Sequence, residues 1–292
     1  MKTVINGYAM NYETAGEGPA LLHIHGGLGG MLSTLAPREF LLAPLYSDAF
    51  RVVWYDRRSA GQSDYPEVFY SLEDVASDAK GLLEHLGIEK AVIMGDSAGG
   101  PVALTFALNY PERAYGLVLA ETSAVLGDIP AFAPTLRELV EVLRNEGAEA
   151  AYEARKRLRG ESAGEVGDLS RVFDFSKAPP LIEEFFAAQV REGREKARLA
   201  SREERIRWHA GELRNYAMYP GVDLRPRLKE VRVPTCVIHG NKDIAVPLPH
   251  GQFIAAEVPD AELHIIENVQ HGIMLDPGAQ RALRQFMVKV TT

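Results

Sequence analysis

The sequence predicts an α/β protein: a mainly parallel sheet with helices on both faces, interrupted once by a helical insertion. Three observations carry this. Strand-length apolar runs alternate with helix-period segments from Ala20 to Ala120. The same rhythm resumes at Val233 and runs to the end of the chain. Between them, from about Gly127 to Tyr219, strand patterning stops and helical periodicity takes over. Apolar strands separated by helices make a parallel sheet buried on both sides. With 292 residues, 46% of them hydrophobic, the chain can bury a large core.

The elements follow in order. Asn6-Gly7 between two β-type runs reads as a hairpin turn. Glu17-Gly18-Pro19 breaks the chain before the buried-strand pattern Ala20–Ile24. A short helix is expected over Arg38–Leu45 and a strand over Arg51–Tyr55. Leu72, Val75, Ala79, Leu82, Leu83 and Leu86 recur at helical spacing, and Gly87 closes that helix. Lys90–Met94 is a strand and Pro101–Leu108 a helix, which Pro111-Glu112-Arg113 ends before the strand Gly116–Ala120. After the insertion come the strand Val233–His239, a helix around Phe253–Glu257, the strand Glu262–Ile266 and a helix over Pro277–Val288. Residues 1–126 and 220–292 are thus assigned to one core domain and 127–219 to the insertion. Leu136, Leu139, Val140 and Leu143, then Leu181, Phe185 and Phe186, then Ile206, Trp208 and Leu213 give the insertion its helical period. Its charge runs read as solvated helix faces.

Composition excludes several function classes. A formal charge of −8 argues against nucleic acid or an anionic membrane as the main partner. The one cysteine, Cys236, lies in an apolar strand and reads as a small buried hydrophobe, with no metal-binding spacing around it. No secretory leader pattern opens the chain, and its apolar runs are strand-sized, so a cytoplasmic protein without a membrane span is expected. Neither a metal nor an organic cofactor is expected; the expected partner is a small-molecule substrate.

The chemistry centres on Gly95-Asp96-Ser97-Ala98-Gly99. A G-x-S-x-G between a strand and a helix is a nucleophile elbow: the turn exposes the serine at the carboxyl edge of the sheet, and the flanking glycines let strand and helix pack. A helix-capping serine needs no glycine on both sides. A serine needs a base, and the base an orienting acid, in the chain order Ser, acid, His. Asp243 lies just beyond one later strand and His271 just beyond the next. In a parallel sheet all such carboxyl ends share one edge, so Ser97, Asp243 and His271 should converge. Glu121, at the end of Leu117–Ala120, is the rival acid; it is assigned instead to a cap or hinge contact. The backbone N–H of Ala98 is one expected oxyanion donor, and Gly27, in His25-Gly26-Gly27-Leu28-Gly29-Gly30, the other, with Leu28 as its alternative. That loop lacks the phosphate-binding glycine patterns. His25 reads as a structural hydrogen-bonding residue.

Together these residues resemble the α/β-hydrolase superfamily over roughly 1–125 and 220–292. Asp56-Arg57-Arg58-Ser59-Ala60-Gly61-Gln62-Ser63 is similar to the D-x-R-G-x-G-x-S turn of capped members, with Ser59 at a glycine position. The resemblance implies the α/β-hydrolase fold, no cofactor, and a cap (lid) in residues 127–219 that supplies the substrate pocket. Leu28, Trp208, Phe185, Phe186 and Tyr216 are the candidate substrate-binding residues, with Phe173 and Phe175 also available. The capped serine esterase subgroup fits the motifs, and the expected reaction is cleavage of an ester or lactone of a small, largely apolar substrate. Proline iminopeptidases are similar too; there Glu183, Glu184, Glu203 or Glu204 would receive a free amine. C–C bond hydrolysis and a low-turnover ligand receptor are the remaining alternatives on this fold.

Overall fold

The computed structural model describes residues 1–30, 42–126, 134–159, 195–196 and 198–292. Eight strands form one sheet in the order β1-β2-β4-β3-β5-β6-β7-β8. β1 (Lys2–Ile5) and β2 (Tyr8–Ala15) make the expected hairpin, with Asn6 and Gly7 both at positive φ, 47° and 85°. That is the turn whose twist matches the strands it joins. β2 runs antiparallel to β4 (Arg51–Tyr55). From β4 the pairings through β3 (Ala20–Ile24), β5 (Ala91–Asp96), β6 (Ala114–Ala120), β7 (Thr235–Gly240) and β8 (Glu262–Ile266) are parallel.

Alternation along each strand builds two layers. In β5, Ala91 and Ile93 face one side and Val92 and Met94 the other; in β6, Leu117 and Leu119 oppose Val118 and Ala120. The second side is covered by α1 (Ala43–Tyr46) and by the C-terminal helix Pro277–Thr291, through Tyr46, Leu283, Phe286 and Met287. The first is covered by α2 (Leu72–His85) and α3 (Gly100–Asn109), through Val75, Leu82, Leu83, Val102 and Phe106. Each such buried side chain contributes about 1.5–3 kcal/mol. Helix α2 starts where the sequence dictates: Ser71 and Asp74 cap each other's backbone N–H in a capping box. Of the short helix expected over 38–45, the described part is α1; residues 38–41 lie outside the described residues.

The insertion contributes α4 (Pro134–Glu146), α5 (Ala148–Arg159) and α6 (Arg202–Ala217), and no strand among its described residues. Leu139, Val140, Leu143, Ala151, Leu213 and Tyr216 form a separate apolar cluster there. Its charges divide: the exposed Arg202 meets Glu149 at 2.8 Å and Glu153 at 2.9 Å, whereas Arg155 pairs with Glu212 at 2.6 Å between the helices and Arg214 is buried. Leu28 packs against both this cluster and the sheet's core. The chain then closes through α7 (Pro249–Glu257) and the C-terminal helix, α8. Among the described residues no helix is long and apolar enough to cross a membrane.

The Asp56–Ser63 turn forms although Ser59 replaces a glycine. Ser59 takes the left-handed conformation, φ 59°, that a glycine would supply without strain. Neighbouring bonds hold it there. Asn215 of α6 donates to the Arg58 carbonyl at 3.0 Å, and the Ser63 hydroxyl donates to the Asp56 carbonyl at 2.6 Å. Gly61, φ 49°, has no room for a side chain, because a Cβ would lie 2.4 Å from the Asp56 carboxylate.

Candidate active site

The elbow is dictated by sterics. Ser97 stands at φ 47°, left-handed for a non-glycine residue. A Cβ on Gly95 would lie 2.5 Å from the Gly99 carbonyl oxygen, and one on Gly99 2.0 Å from that of Ile24. Both glycines are therefore required by close backbone approach. Past the turn, the Thr122 hydroxyl donates to the Ser97 carbonyl at 2.6 Å.

Three distant residues meet here. Ser97 Oγ is 3.0 Å from His271 Nε2, and His271 Nδ1 is 2.8 Å from Asp243 Oδ2. Asp243 Oδ1 accepts the N–H groups of Ala245 (2.9 Å) and Val246 (2.8 Å), so the carboxylate is fixed from both ends. His239 supports the same loop by donating to the Val246 carbonyl at 2.8 Å. An ionised carboxylate only accepts, so Nδ1 carries the imidazole proton and Nε2 is left to accept from the serine. Asp243 and His271 are both buried, at 6% and 7% exposure.

Glu121, expected as a cap or cap-domain hinge contact, is also a second carboxylate at the ring. It is 3.8 Å from His271 Nδ1 and accepts the backbone N–H groups of Gly272 and Ile273. Asp243 is an ångström closer to the ring and makes its hydrogen bond. Burial lowers the basicity of His271, but the charges of Glu121, Asp243 and Asp96 outweigh it and raise its pKa above the ordinary 6.5. For chemistry that needs the neutral imidazole, the acid limb of kcat/KM should therefore lie above pH 6.5, with activity rising as pH climbs through it. A pH–rate profile checks this; a limb below 6.5 contradicts it.

The glycine-rich loop is tied to the elbow. Asp96 pairs with His23 and accepts the Gly26 N–H at 3.1 Å. His25 is fully buried; its Nε2 accepts the Arg57 N–H at 3.1 Å and its Nδ1 donates to the Gly26 carbonyl at 2.6 Å. Gly27, at φ 74°, gives its carbonyl to Arg57 Nη2 at 2.6 Å. Arg57 Nη1 also reaches the Tyr219 hydroxyl at 3.1 Å, and that hydroxyl donates to the Ala98 carbonyl at 2.6 Å. One buried Arg–Tyr pair thus braces both segments expected to bind an oxyanion.

Comparison with known proteins places the chain. A family profile described as alpha/beta hydrolase fold matches residues 19–277. This protein belongs to the alpha/beta hydrolase family. Among its curated relatives is the 2-hydroxy-6-oxo-6-phenylhexa-2,4-dienoate hydrolase of Comamonas testosteroni, 28% identical over 91% of this chain and 86% of that one. Among solved structures, a thermophilic esterase from Thermogutta terrifontis (malate bound) superposes with TM-score 0.71 at 25% identity, covering 100% of this chain and 99% of that one. An enol-lactonase from Burkholderia xenovorans superposes with TM-score 0.70 at 24% identity, covering 99% of each. Membership supports an enzyme of hydrolase type.

The remaining expectations for this hydrolase fare unevenly. Trp208 is half-buried. Tyr216 is wholly buried and belongs to the helical cluster with Leu139, Val140 and Leu213. Phe173, Phe175, Phe185, Phe186, Glu183 and Glu184 lie outside the described residues. Glu203 is exposed, and Glu204 is used as the capping-box partner of Ser201 at the start of α6, which removes it as an amine receptor. Arg57 and Tyr219 were not singled out by sequence; Arg57 sits inside a quoted motif, while nothing local marks Tyr219. Tyr219→Phe should keep the fold and lower kcat about tenfold with little change in KM, because one bond holding the Ala98 segment is lost, about 1 kcal/mol or somewhat more. Steady-state kinetics with a chromogenic ester would reveal it; an unchanged kcat would remove Tyr219 from the site.

Proposed function

We propose that this protein is a serine hydrolase that cleaves a carboxylic ester or lactone of a small, largely apolar substrate through an acyl-enzyme. The observation that carries this reading is the continuous chain Ser97 Oγ to His271 Nε2 at 3.0 Å and His271 Nδ1 to Asp243 at 2.8 Å. In the proposed mechanism Ser97 Oγ attacks the carbonyl carbon as its proton passes to His271 Nε2. The N–H groups of Ala98 and Gly27 receive the developing oxyanion, each worth about 3 kcal/mol. Collapse breaks the C–O bond, and the leaving alcohol takes the proton from His271. Water, deprotonated by the same ring, then releases the acid and restores Ser97. Asp243 holds the ring in the tautomer this cycle needs.

Residues 127–219 act in this reading as a cap over the serine, with 1–126 and 220–292 as the core. The separate apolar cluster of α4, α5 and α6, and its contact with Leu28 of the glycine-rich loop, support that division. Leu28 and Trp208 are then the described candidates for the substrate wall.

A second reading is favoured by the curated relatives: C–C bond hydrolysis of a ring-fission product, the chemistry named for the Comamonas testosteroni protein. The same serine would attack a ketone, and a carbon leaving group would take the proton. The test combines two measurements. A fluorophosphonate probe should label Ser97. A panel of p-nitrophenyl esters, a lactone, a vinylogous 1,5-diketone and proline p-nitroanilide should then be turned over fastest as ester or lactone. Labelling with turnover of the diketone alone would replace the first reading by the second; no labelling would overturn both.

A further inference from the structure

Two carboxylates, not one, approach the Nδ1 side of His271. Asp243 makes the hydrogen bond at 2.8 Å, and Glu121 Oε2 lies 3.8 Å from the same nitrogen. That oxygen accepts two consecutive N–H groups, those of Gly272 at 2.5 Å and Ile273 at 2.7 Å, directly after the ring's own residue. Glu121 is the first residue beyond β6, buried at 4% exposure and left-handed at φ 44°. A strained, buried carboxylate next to a base is an expensive arrangement for a loop that a neutral side chain could also hold.

We propose that Glu121 is a second positioning carboxylate for His271: it anchors the loop that carries the ring and adds its charge to the side of the imidazole that becomes cationic during turnover. This deepens the serine hydrolase reading and takes its catalytic meaning from it. The groups facing Glu121 are His271, Asp243 beyond the end of β7 and Asp96 at the end of β5; His239 bears on it only through Asp243, 3.6 Å away from its ring. Burial drives the Glu121 carboxyl up, to about 7, against the opposing pull of the His271 charge, while Asp96 and Asp243 push it further in the same direction as burial. The charge of Glu121 raises His271, and the hydrogen bond and charge of Asp243 act in the same direction. The sign follows. With Glu121 ionised the imidazolium is favoured; with Glu121 neutral or replaced, His271 gives up its proton at lower pH.

The test is a titration of the His271 ring nitrogens by NMR in the full-length protein, comparing the natural chain with Glu121→Gln and Glu121→Asp. The amide can still accept the loop's N–H groups but carries no charge. Glu121→Gln should lower the His271 pKa by about 1 unit or more, shift the acid limb of kcat/KM the same way, and leave KM nearly unchanged. Glu121→Asp should recover part of the shift. A purely structural clamp would change thermal stability without moving the titration, so an unmoved His271 in Glu121→Gln overturns the proposal. Should Glu121→Gln not fold, the natural protein decides: two inflections in the His271 nitrogen shifts support coupling to a second titrating carboxyl, and a single inflection refutes it. The titration needs no turnover, so its result is independent of whether Ser97 is labelled.

Discussion

Ser97→Ala is expected to cut ester turnover on the order of a million-fold while leaving the protein folded. In the proposed mechanism Ser97 is the nucleophile, so its loss would remove the covalent route and leave only binding and oxyanion stabilisation. The alanine keeps the Cβ that already sits at φ 47°, so the elbow's strain is unchanged and stability should move by less than about 1 kcal/mol. Ser97→Gly is the informative partner. It should be equally inactive yet more stable than Ser97→Ala by about 1 kcal/mol, because glycine relieves the left-handed backbone. Steady-state kinetics with a p-nitrophenyl ester and urea unfolding of both variants check this. Turnover retained by Ser97→Ala would remove the serine from the mechanism.

The convergence of Ser97, Asp243 and His271 was legible because it depends on properties the sequence carries: three strand ends, a parallel sheet and chain order. The choice between Asp243 and Glu121 was not legible in the same way. Both stand just beyond a strand, and the difference between 2.8 and 3.8 Å from His271 is a matter of loop conformation. The Arg57–Tyr219–Ala98 brace joins positions 162 and 121 residues apart, and no local pattern announces such a bond. In the insertion, periodicity identifies helices but not which apolar face covers a cleft. Tyr216 fits the period as well as any pocket residue and is buried in the helical cluster. The role of Glu204 could have been read, since Ser201 and Glu204 are spaced as a capping box. At Ser59 the motif's missing glycine gave the right conformation with the wrong residue, because the bonds from Asn215 and around Asp56 hold the turn.

Gly99→Ala should be among the most damaging single-methyl additions to the core. The new Cβ would stand 2.0 Å from the Ile24 carbonyl oxygen and 2.8 Å from that of His25. These are backbone atoms and cannot rotate away. Ile24 ends β3, which pairs in parallel with β5 at Ile24↔Gly95. To make room, α3 must lift from the sheet, or β3 and the glycine-rich loop after it must move. Overpacking usually costs 1–3 kcal/mol; with no flexible side chain to yield, a loss of about 3 kcal/mol or more is expected here. Molecules that stay folded should also be slow, since the displaced segments carry Ser97, Ala98 and Gly27, and a shift near 1 Å can cost about a hundredfold in rate. Gly87→Ala separates the causes. Gly87 has positive φ, 65°, but nothing within 4 Å of its added Cβ. It should lose only about 1 kcal/mol of backbone preference and keep full activity. Urea midpoints paired with kcat/KM for both variants measure the difference. If Gly99→Ala matched Gly87→Ala in both, the close approach of strand and helix would not be what fixes the nucleophile.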